Sequence, residues 1–324
     1  MKRFLSAFSY FPAFLVPFFL MGLVLIMLKV YPFGSHSILM ADQYTQYIQF
    51  YNHFYDTMKG NGSLFYSWEA GMGLNFWGTF TYYLSSPISA FVLLFDRSNL
   101  PEAFIFMTLT KIGLSGLTMN LYLRNICRSG KWITLIFSTA YALMSFSVAY
   151  FFNIMWLDSV YLLPLVLLGI ERLYHKKYSL FISSLVLLFV SNFYMAYIVG
   201  IFAFLYFVLR SIINQYPIKN FLAFMGSTFI AVGISAFTIL PTYLQLRTSQ
   251  YHVIDWNNIF KIQADFIDVI AKFYHSGIKL LERPNVYSGL IVLLLFPLFF
   301  LSRKINAKEK VLFLLAAIFV VFKF

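Results

Sequence analysis

Apolar residues run along this chain in long unbroken blocks, with polar residues confined to the stretches between them. A helix needs about 20 apolar residues to cross about 30 Å of hydrocarbon. By that measure the blocks predict spans near 11–30, 101–123, 132–150, 157–171, 179–193, 195–209, 221–240, 286–301 and 311–324. The first, with Lys2 and Arg3 ahead of an apolar run from Phe11 to Leu28, has the charge pattern of a signal peptide. It is too long for one and lacks a small-residue cleavage site, so it reads as a retained helix. Two segments are ambiguous. The run Tyr82–Phe95 is short for a span, and counting it would export the basic cluster Arg124, Arg128 and Lys131. It is therefore expected to be re-entrant or interfacial. As one helix, Ser179–Ile212 would reach about 50 Å. Two short helices broken near Ser191 and Asn192 fit better.

A different periodicity follows the first helix. Asp42, Gln46, Gln49, His53 and Asp56 recur at steps of four and three, which places them on one polar stripe of a helix. Tyr44, Tyr47, Ile48, Tyr51, Tyr55 and Met58 cover the opposite side. The pattern predicts an amphipathic helix in the outer interface, its apolar face toward acyl chains and its acids toward water or a cavity. A purely anchoring helix with Asp42 as its N-cap would show the same pattern. The next stretch, Ser63–Gly78, carries Glu69 and glycines at 71, 73 and 78 that permit tight turns. Trp68, Phe76, Trp77, Tyr82 and Tyr83 could stack on a sugar or line the membrane interface.

Composition strengthens the membrane reading. Hydrophobic residues make up 60% of the 324 positions and charged residues only 11%, against about 25% charged in soluble domains. Charge then orients the bundle. Lys2, Arg3, Arg124, Arg128, Lys131, Arg172, Lys176, Lys177, Arg210, Lys219, Arg303, Lys304, Lys308 and Lys310 fall on one side, opposed there only by Glu171 and Glu309. The positive-inside rule makes that side cytoplasmic, with the N-terminus inside. Most acids fall in the outer segments 31–100 and 241–285 and near 151–156. The net charge of +12 therefore reflects topology and attraction to anionic lipids, and gives no support to nucleic-acid binding. The single cysteine, Cys127, can form no intramolecular disulfide.

Few residues carry candidate chemistry. Asp158 ends the stretch Asn153–Asp158 at the outer mouth of the fourth span, and Lys111 lies near the middle of the second. An intramembrane ammonium is costly and needs a partner: a lipid phosphate, or a carboxylate such as Asp158. In the last outer loop Arg247, His252, His275 and Arg283 could bind phosphate. Phosphate-binding glycine loops, zinc signatures and nucleophile elbows are missing, and the five histidines show no metal-ligand spacing.

Several segments together resemble the YfhO family of bacterial membrane proteins: Ala41–Tyr47, Ser67–Gly78, Tyr82–Pro87, Asn153–Asp158, Gly169–Arg172, Asn192–Tyr194 and Pro284–Gly289. The resemblance runs over essentially the whole chain. Family members are usually longer, with an extracytoplasmic C-terminal part. Because the chain stops within an apolar run at Phe324, it is expected to be truncated. The family is similar to the GT-C superfamily of glycosyltransferases, which take sugar from polyprenyl-phosphate lipids. Some members are implicated in glycosylating teichoic acids of Gram-positive envelopes.

The apolar blocks predict an all-α, polytopic integral membrane bundle of about nine transmembrane helices in a single domain, and the resemblance is compatible with such a bundle. It is expected to be GT-C-like, with interfacial helices in the first outer loop, in a bacterial cell membrane. The implied partners are a polyprenyl-phosphate sugar, an envelope acceptor such as teichoic acid, and membrane lipids. An acid in the first outer loop serves catalysis in that superfamily, and Asp42 occupies that place. Gln46, His53, Asp56, Glu69 and Asp158 are further site candidates. Lys111, Arg247 and Arg283 are the expected donor-phosphate ligands, since negative charge develops on the leaving phosphate. A divalent metal could assist. The rival readings are a transporter of lipid-linked sugars, which needs ionisable groups at several depths, and a noncatalytic scaffold for envelope assembly.

Overall fold

The computed structural model describes residues 9–248, apart from 70 and 128, and residues 290–323. Arg283, His252 and His275 lie outside these residues. The regular elements among the described residues are helices, apart from one two-stranded hairpin and an isolated bridge between Val30 and His36. Helix α1 (Phe11–Met27) begins with Pro12 in its first turn, where the missing N–H costs nothing. The segment that the charge pattern assigns to the outer side, called the outer segment below, follows. It comprises α2 (Ile48–Met58), the hairpin β1 (Tyr66–Ser67) and β2 (Leu74–Asn75), the single turn α3 (Phe76–Thr79), a π turn Phe80–Leu84 and a 3-10 helix Pro87–Leu94. The run Tyr82–Phe95 is thus broken into two short elements and forms no span, as its length predicted.

Helix α4 (Leu100–Ile126) is the hub, packed against α1, α5 (Lys131–Ala142) and α7 (Leu157–Leu173). Between α5 and α7 lies the short α6 (Ser145–Ala149). Helix α7 packs in turn on α8 (Ser179–Ser191) and α9 (Phe193–Asn214). Glycine makes two of these approaches feasible. A Cβ on Gly116 would strike the Ala13 carbonyl and Pro17, and one on Gly169 would meet the backbone of Phe181. Without a hydrophobic drive between helices in lipid, such close backbone contact supplies much of the packing attraction.

The break between the fifth and sixth expected spans occurs at Asn192. Its side-chain oxygen accepts from the Met195 backbone N–H at 2.8 Å, capping α9. Its amide nitrogen donates to the Tyr82 carbonyl at 2.8 Å, fastening the outer segment to the break. Beyond it, α10 (Ile218–Ile234) and α11 (Ala236–Thr248) meet at a bend of 72°. Helix α11 then docks on the outer segment, where Thr242 and Thr81 hydroxyls pair at 2.8 Å and Gln245 donates to the Asn75 carbonyl at 3.0 Å. Two more helices, α12 (Leu290–Leu301) and α13 (Ala307–Lys323), complete the described chain.

Where the structure describes them, the nine expected apolar blocks thus fall mainly on helix. The runs Arg97–Ile126, Lys131–Ala149 and Phe193–Asn214 are long and apolar enough to cross a membrane, and the bent pair α10–α11 adds a fourth if it acts as one span. Phe11–Met27 and Ser179–Ser191 are shorter apolar helices. The structure supports an all-helical membrane bundle with three or four such crossings among its described residues, rather than a demonstrated nine.

Candidate functional site

The chain enters the polar-stripe region through Ala41, which holds φ at 48°, a left-handed conformation that costs a non-glycine residue. Gln43–Tyr47 then forms a π turn ahead of α2. Asp42 starts this turn, exposed, and its carboxylate caps no backbone N–H. The anchoring-cap reading of Asp42 therefore fails. Instead, Asp42 Oδ2 lies 3.4 Å from the Tyr47 hydroxyl, which also donates to Asn153 Oδ1 at 2.8 Å. Burial, followed by the Asp42 carboxylate, raises the Tyr47 phenol above its ordinary pKa, so it remains a donor. Tyr83 packs on Tyr47 at 5.1 Å between ring centroids and is itself pushed up to about 12 by burial. In the same turn Gln43 is fully buried, and neither polar atom of its amide finds a partner among the described residues.

The apolar side of the stripe needs correction. Tyr47, Tyr51 and Phe54 are buried in protein, not turned to acyl chains. The 3-10 helix and α4 cover that face, and Tyr51 reaches Ser89 Oγ at 2.9 Å. Tyr44 and Met58, from the same predicted face, do stay exposed.

The other candidates disperse. Asp56 is held by Arg97 in a forked pair, with the two nitrogens 2.8 to 3.1 Å from its oxygens. That pairing raises the Arg97 pKa. His53 Nε2 sits 3.0 Å from the Ser63 carbonyl, while Nδ1 faces Ser67 Oγ at 3.4 Å and the exposed Glu69 at 3.8 Å. Gln46 is exposed one turn from Asp42. Arg247 is exposed and its guanidinium lies 6.0 Å from the centre of the Tyr243 ring.

Asp158 and Lys111 prove to be partners. Lys111 Nζ lies 2.6 Å from Asp158 Oδ2 and donates to the Ile154 carbonyl at 3.0 Å, with both charged side chains fully buried. Ser86 and Tyr161 donate to the other oxygen of Asp158 at 2.8 and 2.9 Å. These bonds enclose the ammonium and leave no room for a lipid phosphate, so the structure removes Lys111 from the phosphate-binding set and Asp158 from the open mouth. Lys111 sits about 16 Å along α4, near the middle of that helix, where it meets the first turn of α7. Helix α4 also packs against the 3-10 helix of the outer segment.

Tyr47, Asn153, Gln43 and Arg97 surround or contact the candidate residues, and sequence reasoning did not single them out as site residues. A uniform helical period puts Tyr47 off the Asp42 stripe. The π turn, with its i to i+5 spacing, brings the two together. The available signal was local: Asn153 and Tyr47 both fall in segments that carry the family resemblance. The donor set offers little to a divalent metal, because no three His, Cys, Asp or Glu side chains gather among the described residues.

A family model described as bacterial membrane protein YfhO matches residues 13–324. Neither a curated protein nor a solved structure matches the chain. An apolar helical bundle, capped on one side by a folded polar segment and matched over nearly its whole length, makes this chain a member of the YfhO family of bacterial membrane proteins.

Proposed function

We propose that this protein transfers a sugar from a polyprenyl-phosphate lipid to a hydroxyl of a cell-envelope polymer such as teichoic acid, at the extracytoplasmic face. The observation that carries the reading is the state of Asp42. It is exposed and joined to no cation among the described residues, a state it shares with Asp96, but Asp42 stands at the start of a π turn behind the left-handed Ala41 and 3.4 Å from the Tyr47 hydroxyl, whereas Asp56, Asp158 and Glu171 are each neutralised by a basic partner. A carboxylate left unpaired on a strained turn is available as a general base. Asp42 would take the proton of the acceptor hydroxyl as its oxygen attacks the anomeric carbon. The bond from that carbon to phosphate breaks, the prenyl phosphate leaves, and a single displacement inverts the anomeric configuration. Tyr47 would position Asp42 through its hydroxyl. The transport reading calls for ionisable groups along a path, but Lys111–Asp158 and Glu171–Arg210 are closed pairs.

The test is Asp42→Asn in the full-length protein, followed by mass and linkage analysis of cell-envelope glycans. An amide cannot accept the proton, so transfer should fall by about 100- to 10,000-fold. Wild-type transfer by the variant would refute the assignment.

A further inference from the structure

Two π turns meet beside Asp42. Gln43–Tyr47 carries the Tyr47 hydroxyl to 3.4 Å from the carboxylate, and Phe80–Leu84 sets Tyr83 against Tyr47 with ring centroids 5.1 Å apart. From Tyr83 the aromatic rings continue away from the carboxylate. Tyr82 lies 4.6 Å from Tyr83, and Tyr194, on the first turn of α9, lies 6.2 Å from Tyr82. The indole N–H of Trp156, just ahead of α7, donates to the Tyr82 hydroxyl at 3.3 Å. The Asn192 amide, donating to the Tyr82 carbonyl at 2.8 Å, fixes this row to the break between α8 and α9. Tyr194 is 44% exposed and Tyr82, Tyr83 and Trp156 are partly exposed, so the row forms a ledge at the surface and not a core.

The ledge also carries unused donors. The hydroxyls of Tyr83 and Tyr194 have no hydrogen-bond partner among the described residues, and the Tyr82 hydroxyl accepts from Trp156 while its own hydrogen meets no acceptor there. Burial raises the Tyr82 and Tyr83 phenols above their ordinary pKa, so both hydroxyls stay protonated. The carboxylate that acts on Tyr47 and Tyr83 is Asp42, and no Lys or Arg among the described residues adds to it. Apolar ring faces with O–H donors at their edges match the two sides of a sugar ring, C–H groups on its face and hydroxyls around its rim. A carboxylate without a cation makes the ledge a poor place for a uronate or a phosphorylated sugar, whose charge it would repel.

We propose that Tyr82, Tyr83, Trp156 and Tyr194 form a carbohydrate subsite that takes an uncharged sugar ring and rejects an anionic one. The inference rests on the transferase reading and deepens it. The ring belongs either to the donor or to a sugar unit of the acceptor, since both present the same C–H face and hydroxyls and both must be held next to the base.

The test uses the full chain in phosphatidylcholine nanodiscs, with methyl glucoside, methyl galactoside and methyl N-acetylglucosaminide as neutral probes and methyl glucuronoside as the anionic one. Saturation-transfer NMR should show at least one neutral probe binding through its ring C–H protons, and the glucuronoside binding far more weakly. Tyr194→Ala, at an exposed position, should weaken that binding by about tenfold through loss of a stacking face. Tyr83→Phe keeps the ring, removes the donor, and should weaken it by about fivefold. Binding of no neutral probe, equal binding of the glucuronoside, or binding unaffected by both variants would overturn the proposal. In the transfer assay Tyr194→Ala should raise the KM of one substrate with little change in kcat. A raised donor KM assigns the ring to the donor, and a raised acceptor KM assigns it to the acceptor. If neither KM rises while transfer still requires Asp42, the subsite alone is wrong. Probe binding that depends on Tyr194, in a protein that transfers normally as Asp42→Asn, would sink the transferase reading and leave the carbohydrate site standing.

Discussion

Lys111 and Asp158 form a fully enclosed ion pair at 2.6 Å that joins α4 to the first turn of α7. Through Ser86, which donates to the same carboxylate, the pair also fixes the outer segment to the bundle. Lys111→Met leaves Asp158 charged and buried without compensation, and is expected to cost about 3 to 5 kcal/mol. Lys111→Met with Asp158→Asn removes both charges, keeps an acceptor for Ser86 and Tyr161, and should recover most of that loss. Thermal melting of the purified protein in detergent checks the order. A single variant as stable as the wild type would show that the ammonium is not paired as described.

Asp56 and Arg97 form the contrasting case, because their side chains are 28% and 56% exposed. Exposed pairs contribute about 0 to 1 kcal/mol. Asp56→Asn should therefore melt within about 1 kcal/mol of the wild type and retain transfer, as should Glu69→Gln. Equal loss of activity in these variants and in Asp42→Asn would mean that the acidic segment acts through its field and not through one base.

Tyr47→Phe removes a buried hydroxyl that serves Asn153 and Asp42. The lost hydrogen bond should cost about 1 kcal/mol of stability. As a positioning residue, Tyr47 should affect turnover more than acceptor KM, and Tyr47→Phe should retain far more activity than Asp42→Asn. Identical kinetics for Tyr47→Phe and the wild type would remove it from the site.

Gly169 faces Phe181 so closely that a Cβ would lie 2.6 Å from the Phe181 Cα. The obstacle is backbone, so α7 and α8 must separate. Gly169→Ala is expected to destabilise the protein by about 1 to 3 kcal/mol, read by melting. Gly200→Ala, with nothing within 4 Å of its Cβ, is the matched control and should be neutral or better.

Orientation can be tested with the exposed native Cys127. In intact cells an impermeant maleimide should leave Cys127 unlabelled and modify a cysteine introduced as Asn61→Cys. The reverse pattern would invert the charge-based topology and place Asp42 on the cytoplasmic side.

Much of this protein is legible in its one-dimensional pattern. Block length and hydropathy specify helices, because in lipid every backbone polar group must find its partner within the segment. The break at Asn192 could be read for a related reason: a 34-residue helix is too long for the bilayer, and a short polar side chain there supplies the cap that a new helix needs.

The site was less legible. Periodicity shows that Asp42, His53 and Asp56 share a face, but not what each meets across it, and partners such as Arg97 are 41 residues away. It likewise assigned Tyr47 and Tyr51 to lipid, because an apolar face looks the same whether acyl chains or another helix cover it. The sequence by itself determined that the chain is a helical membrane protein with a polar, acid-bearing segment after its first helix. Only the tertiary structure decided that Lys111 is closed off by Asp158 while Asp42 stays open. The physical reason is that burial and charge pairing are properties of the neighbours a folded chain brings together, and residues 111 and 158 become neighbours only when α4 packs on α7.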